Sequence, residues 1–215
     1  MISVENVTKI HHTRAGVKTV LNDVSFTISK GEAIGILGNN GAGKSTLLRL
    51  ITGVERPTSG KITRSMSVSW PLGFGTGFQG SLTGADNVRF VARLYGADIA
   101  EVMEYVQDFA ELGSYLYMPI KTYSSGMRAR LAFGLSLAIR FDCLVVDEVA
   151  AVGDARFKER SRAALAERSA GGSLIMVSHS PEILKMYCRT GAVLKDGRLT
   201  VCDDLASAFK LHRAQ

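Results

Sequence analysis

Gly38-Asn39-Asn40-Gly41-Ala42-Gly43-Lys44-Ser45 decides the fold of this chain. The octet fits the phosphate-loop pattern of glycine, four free positions, then Gly-Lys-Ser/Thr. Gly38, Gly41 and Gly43 let the backbone turn tightly and aim successive N–H groups at an anion. Lys44 is placed to reach the β- and γ-phosphates of a nucleotide, and the Ser45 hydroxyl to bind Mg²⁺. Upstream, Glu32-Ala-Ile-Gly-Ile-Leu37 is a short apolar run suited to a buried parallel strand; downstream, Thr46-Leu-Leu-Arg-Leu-Ile51 suits a helix. The N-terminus of that helix adds its dipole to the site. The run from Gly38 to Thr46, including Asn39, Asn40 and Ala42, is therefore the expected nucleotide cradle.

Two further strand ends carry chemistry. Cys143-Leu-Val-Val-Asp147-Glu148 is an apolar strand that stops at two acids. A carboxylate at the exit of a buried strand beside a phosphate loop can hold Mg²⁺, which assigns that role to Asp147. Glu148, one residue on, can polarise the water that attacks the γ-phosphate. Leu174-Ile-Met-Val-Ser-His179 ends in a histidine, and in a parallel sheet its position lies near the ligand crevice, where His179 can hydrogen-bond the γ-phosphate. Gln79, in Gly77-Phe-Gln-Gly80, offers an amide oxygen to Mg²⁺ or its water. His11, His12 and His212 show no such placement in the sequence.

The 215 residues suffice for one sizeable α/β domain. The first third reads as β-rich, with alternation at Ile2–Val7 and Leu21–Ile28 before a turn at Lys30-Gly31 and a further strand near Lys61–Thr63. From about Asp86 to Arg140 the apolar spacing becomes helical (Val88, Val91, Ala92; Leu131, Leu135, Ala138), and strand signals return at Cys143–Val146, Leu174–Val177 and Ala192–Leu194. An apolar share of 46% with 21% charged residues is that of a soluble globular chain, and Leu131–Ile139 is far too short to span a membrane. The first ten residues lack the basic start and apolar core of a secretory signal, so a cytosolic location is expected. Cys143, Cys188 and Cys202 have no metal-ligand spacing and read as reduced thiols. The net charge of +6 is spread, with short basic groups at Arg128–Arg130 and Lys158–Arg162 that read as solvated surface rather than a nucleic-acid site.

Tyr123-Ser-Ser-Gly-Met127, just ahead of the aspartate-bearing strand, resembles the signature motif of ATP-binding-cassette (ABC) ATPases. The order of phosphate loop, glutamine loop, signature, Asp-Glu strand and histidine loop matches that family over residues 1 to about 197. The resemblance implies an α/β phosphate-loop core with a parallel sheet, an N-terminal antiparallel β subdomain and a helical subdomain inserted at about 80–140, all within one domain. It implies two copies paired head to tail around two ATP·Mg²⁺. Lys44 then acts on the nucleotide in cis, while Ser124, Ser125 and Gly126 act in trans on the partner's nucleotide. The signature keeps only the serine and second glycine of the usual Leu-Ser-Gly-Gly-Gln, and Asp154 stands at the aspartate position of the loop after Glu148. The adenine-stacking position falls to His11, with His12 beside it as the alternative; an imidazole stacks more weakly than a larger aromatic.

The run from Trp70-Pro-Leu-Gly-Phe-Gly to Asp86-Asn-Val, the signature and Ala151-Val-Gly-Asp154 together look like the ATPases of bacterial capsular polysaccharide exporters, with O-antigen and teichoic acid exporters sharing the last two features. That resemblance implies an ATPase on the cytoplasmic face of the inner membrane, bound to separate membrane-spanning permease subunits. The polysaccharide is then held by the complex and not by this chain, since only about twenty residues follow Gly197. Drug or lipid exporters, non-transport cassettes and phosphate-loop kinases are the competing classes, separated by membrane partner, salt-sensitive nucleic-acid binding and acceptor phosphorylation respectively.

Overall fold

A computed structural model of the chain describes residues 1–13, 16–72, 77–147 and 154–214. They fall into two compact units, one formed by Met1–Pro71, Phe141–Val149 and Gly171–Gln215, the other by Leu72–Arg140 and Ala150–Ala170. The second unit thus takes in a helix beyond the expected span of about 80–140.

In the first unit, strands β1 (Ile2–Thr13) and β2 (Gly16–Ile28) form an antiparallel hairpin, and β4 (Ser59–Arg64) pairs antiparallel with β1 on its other side. Alternation along β1 and β2 turns Ile2, Val4, Val7, Leu21, Val24, Phe26 and Ile28 inward. The second sheet contains β3 (Ala33–Leu37), β5 (Val68–Leu72), β6 (Cys143–Asp147), β7 (Ser173–Val177), β8 (Thr190–Lys195) and β9 (Arg198–Cys202), in the order β5-β6-β7-β3-β8-β9. β6, β7, β3 and β8 run parallel and β9 returns antiparallel. The parallel strands are apolar along nearly their whole length, as a sheet covered on both faces requires. Pro71 lies in β5, at the sheet edge where a missing N–H is tolerated.

Helix α1 (Lys44–Thr52) buries Leu47, Leu48, Leu50 and Ile51 in one cluster with residues of both sheets. The Arg64 guanidinium donates to the Leu50 and Ile51 carbonyls and so satisfies the end of α1. The cysteines are free, and burial pushes the Cys143 and Cys188 thiols up to about 12.

The helical unit contains α2 (Gly84–Leu94), α3 (Ile99–Ala110), two 3₁₀ turns (Gly113–Tyr117 and Ile120–Thr122), α4 (Ser125–Ala138) and α5 (Ala155–Ser169). Its start signals are local: Thr83, Asp98, Ser124 and Asp154 each accept a backbone N–H from the first turn of the helix they precede. Phe109 stacks with Tyr105 and Phe133 and meets Phe157 edge-on, centring the apolar contact of α3, α4 and α5. Arg130 and Arg160, from the two basic groups, join a surface ion-pair network with Arg156. Arg130 pairs with Asp154 and Glu111, Arg156 with Glu111, and Arg160 with Asp108 and Glu111.

Helices α6 (Pro181–Tyr187) and α7 (Leu205–Arg213) complete the first unit. A Cβ at Gly191 of β8 would fall 2.5 Å from the Ala208 Cβ of α7, so only glycine lets the helix sit this close. Gly191→Ala is expected to lower stability by about 1–3 kcal/mol through overpacking, measured as a shift of the urea midpoint; an unchanged midpoint would mean that α7 is not seated on β8.

Candidate functional site

The parallel strands deliver the functional residues to one end of the sheet. In register, Asp147 of β6 lies opposite Val177 of β7, and Ile36 of β3 lies opposite Val177 on its other side. The chain leaving β3 becomes the phosphate loop, the chain leaving β7 carries Ser178 and His179, and Asp147 closes β6. Sequence reasoning placed these three strand exits together, and the register brings them there. Glu148 lies outside the described residues.

Loop and helix meet at Gly43, whose φ of 106° is left-handed and caps α1. Ala42 N–H donates to the Asn39 carbonyl at 3.1 Å, which closes the turn. The Lys44 side chain folds back over the loop, its Nζ donating to the carbonyls of Gly38 at 2.6 Å and Asn39 at 3.0 Å. Lys44 is only 9% exposed, so the cation is held within the loop rather than left in solvent. Ser45 is exposed on the first turn of α1, while Thr46 is buried. Asn39, Asn40, Gly41 and Ala42 line one side of a cleft of about 480 Å³, with Lys18, Val20 and Lys195 among the residues on its other sides.

Mg²⁺ fits the donor set. A serine hydroxyl and a single carboxylate supply the few hard oxygen ligands that this ion takes from protein when phosphate and water provide the rest. Ser45 stands on α1, which packs against β6, the strand that ends in Asp147.

His11 sits on β1 with its Nε2 3.2 Å from Glu55 Oε1. Glu55 also accepts from Lys9 at 2.9 Å and Arg49 at 3.2 Å, and Arg49 in turn donates to the Thr46 hydroxyl at 3.2 Å. The residue expected to face adenine is therefore tied to the phosphate-loop helix through Glu55 and Arg49. His11 pairs across the hairpin with Lys18, which lines the cleft.

Within the helical unit, Gln79 is fixed by its backbone. Its N–H donates to Asn87 Oδ1 at 2.9 Å, and Asn87 Nδ2 donates back to the Gln79 carbonyl at 3.2 Å and to Thr83 at 2.8 Å. Asn87 is buried and stands among the residues quoted above for the resemblance, but nothing local marks it as a clamp. Ser124 caps α4, its hydroxyl accepting from the Met127 N–H at 3.2 Å, and leaves Ser125 exposed at the helix start with Gly126 behind it. Tyr123 anchors this motif. It is buried, its hydroxyl donates to the Tyr115 carbonyl at 2.6 Å, and Arg128 Nη1 donates to its carbonyl at 2.6 Å. Asp154 caps α5; the Phe157 N–H, with Arg130 beside it, holds its carboxyl below the usual carboxylate range.

One expectation is corrected. His212, given no role above, lines a small cavity with Gly38, Ser178 and His179. The sequence separates it from the loop by more than a hundred and sixty residues, and only the docking of α7 brings it there.

A phosphate-binding loop at the exit of a central parallel strand, a lysine folded over it and a carboxylate at the exit of β6 define a phosphate-loop nucleotide-binding protein. The ABC transporter family profile matches residues 21–151, and the chain belongs to that family; it binds and hydrolyses ATP. Over its full length it is 55% identical to the capsule polysaccharide export ATP-binding protein CtrD of Neisseria meningitidis serogroup B, covering 99% of that protein. It is also 55% identical to the ATP-binding protein BexA of Haemophilus influenzae, over 99% of this chain and 98% of BexA. The polysialic acid transport ATP-binding protein KpsT of Escherichia coli is 54% identical over 91% of this chain and 88% of its own. Among solved structures, the ATP-binding cassette MJ0796, captured as a post-hydrolysis dimer bound to ADP and Pi, superposes with a TM-score of 0.81 over 95% of this chain and 99% of that one at 21% identity.

Proposed function

We propose that this chain is the ATP-hydrolysing subunit of an exporter that moves capsular or a closely related cell-surface polysaccharide across the inner membrane. The observation that carries the reading is 55% identity, with almost no unmatched sequence on either side, to a capsule export ATP-binding protein. Two copies close head to tail on two ATP·Mg²⁺. In each site the Gly38–Thr46 amides and Lys44 hold the phosphates. Ser45 and Asp147 would hold Mg²⁺, with Gln79 as a further oxygen ligand, and the ion would supply positive charge against the phosphate oxygens. Glu148 polarises the attacking water, and His179 hydrogen-bonds the γ-phosphate. Ser124, Ser125 and Gly126 of the partner copy reach the same nucleotide from the opposite side, through the N-terminus of α4. His11 faces adenine.

Among the described residues no helix is long and apolar enough to cross a membrane. In this reading the chain works on the cytoplasmic face of the membrane, bound to permease subunits that contact the glycan, and nucleotide state reaches them through the Gln79 segment. The test is purification of the full chain with its native membrane partners and reconstitution into vesicles. Expected is ATP hydrolysis stimulated several-fold by the host's surface polysaccharide and ATP-driven movement of that glycan. Stimulation by a lipid or drug with no response to glycan would refute the assignment.

A further inference from the structure

Helix α7 leads directly to the nucleotide end of the sheet. Leu205, Ala208 and Phe209 bury its inner face, and the Leu205 N–H donates to the Arg189 carbonyl at 3.1 Å just before β8. Leu205 Cδ1 lies 3.3 Å from a Cβ built on Gly35 of β3, and Ala208 lies against Gly191 of β8. The helix therefore starts over the middle of β3 and the first residues of β8. Its last turn comes level with the exit of β3, where His212 and Arg213 meet Gly38, Ser178, His179 and Pro181 around a cavity of about 80 Å³.

The Nδ1 atom of His212 is buried and has no hydrogen-bond partner. Native proteins rarely leave such an atom without compensation. The cavity beside it has room for one or two water molecules at roughly 30 Å³ each. The segment after β7 contributes Ser178 and His179 to its lining, and Ser178 is buried with its hydroxyl accepting the Ser180 N–H at 3.1 Å. A helix seated on two glycines of the central strands is a rigid support beside the short segment that joins β7 to α6 and carries His179.

We infer that His212 is a positioning residue for the histidine segment: through its Nδ1 and ordered water in this cavity it holds Ser178–His179 in the geometry that places the His179 side chain on the γ-phosphate. The inference rests on the role given to His179 under the proposed function. His212 touches no reacting atom. Its contribution is orientation, and so it falls on turnover rather than on nucleotide affinity.

The test compares three substitutions in the full chain. His212→Asn keeps a polar atom at the Nδ1 position, His212→Gln moves it to the Nε2 position, and His212→Leu removes it. Expected for Leu and Gln is a kcat about 5- to 10-fold lower with the KM for ATP within about twofold, while Asn keeps at least about half of wild-type turnover. His179→Ala combined with His212→Leu should be no slower than His179→Ala alone, because the two residues act through one contact. Unchanged turnover in His212→Leu, equal loss in Asn and Gln, or independent losses in the double variant would overturn the inference. If the leucine variant does not fold by thermal melting, the Asn and Gln pair decides by itself. If His179→Ala retains full turnover, the reading of His179 fails; if it loses turnover while the His212 variants keep theirs, only the present inference fails.

Discussion

Lys44→Ala is expected to lower ATP hydrolysis by about two to three orders of magnitude, the loss that follows removal of a preorganised donor from developing transition-state charge. The geometry explains why the loss exceeds that of an ordinary surface lysine. Nζ is held against the Gly38 and Asn39 carbonyls, within a loop that already turns its amides toward an anion. Its position is set before nucleotide arrives, so little side-chain entropy remains to be lost on binding. Removing it takes away the only cation that the 38–46 run contributes. Steady-state phosphate release measures the effect, and turnover within threefold of wild type would refute the phosphate-loop assignment.

Ser124→Arg is expected to abolish hydrolysis in the paired assembly while leaving nucleotide binding to the isolated chain intact. Ser124 caps α4 through Met127, so the substitution costs about 1 kcal/mol of helix stability and sets a long cation where the partner's phosphates must approach the helix start. Mixing provides the sharper measurement. A dimer of one Lys44→Ala copy and one Ser124→Arg copy has both lesions in one composite site and an intact Lys44 and Ser124 in the other. Two inactive proteins mixed in equal amounts should therefore recover up to about a quarter of wild-type activity, if pairing is random and one site suffices. No recovery on mixing would mean that Lys44 and Ser124 do not act on a shared nucleotide.

The fold was legible where its signals are local. The strand ahead of the octet, the helix after it, the hairpin of the first third and the helical stretch from residue 86 follow from apolar periodicity and capping residues close along the chain. β9 and the ion-pair network around Glu111 were not legible. An edge strand such as Arg198–Cys202 has little apolar patterning, and the partners of Arg130 and Arg160 lie on other helices. The same division runs through the site. Lys44, Asp147 and His179 stand beside recognisable strand ends, and the parallel register puts those ends together. The Asn87 clamp on Gln79, the Tyr123 anchor of the signature and the hold of Glu55 on His11 depend on which buried polar groups find each other after packing.

By itself, the sequence determined the nucleotide chemistry and the family of this protein. Both rest on residues whose spacing along the backbone dictates their geometry: glycines in a tight loop, a lysine at a helix start, a carboxylate ending a strand. Only the tertiary structure decided what surrounds that chemistry. His212 reaches the cavity beside Gly38 and His179 because Gly35 and Gly191 let α7 lie close on the central strands. Close approach between surfaces distant in sequence leaves no periodicity to read. It arises from shape, and shape exists only once the core has packed.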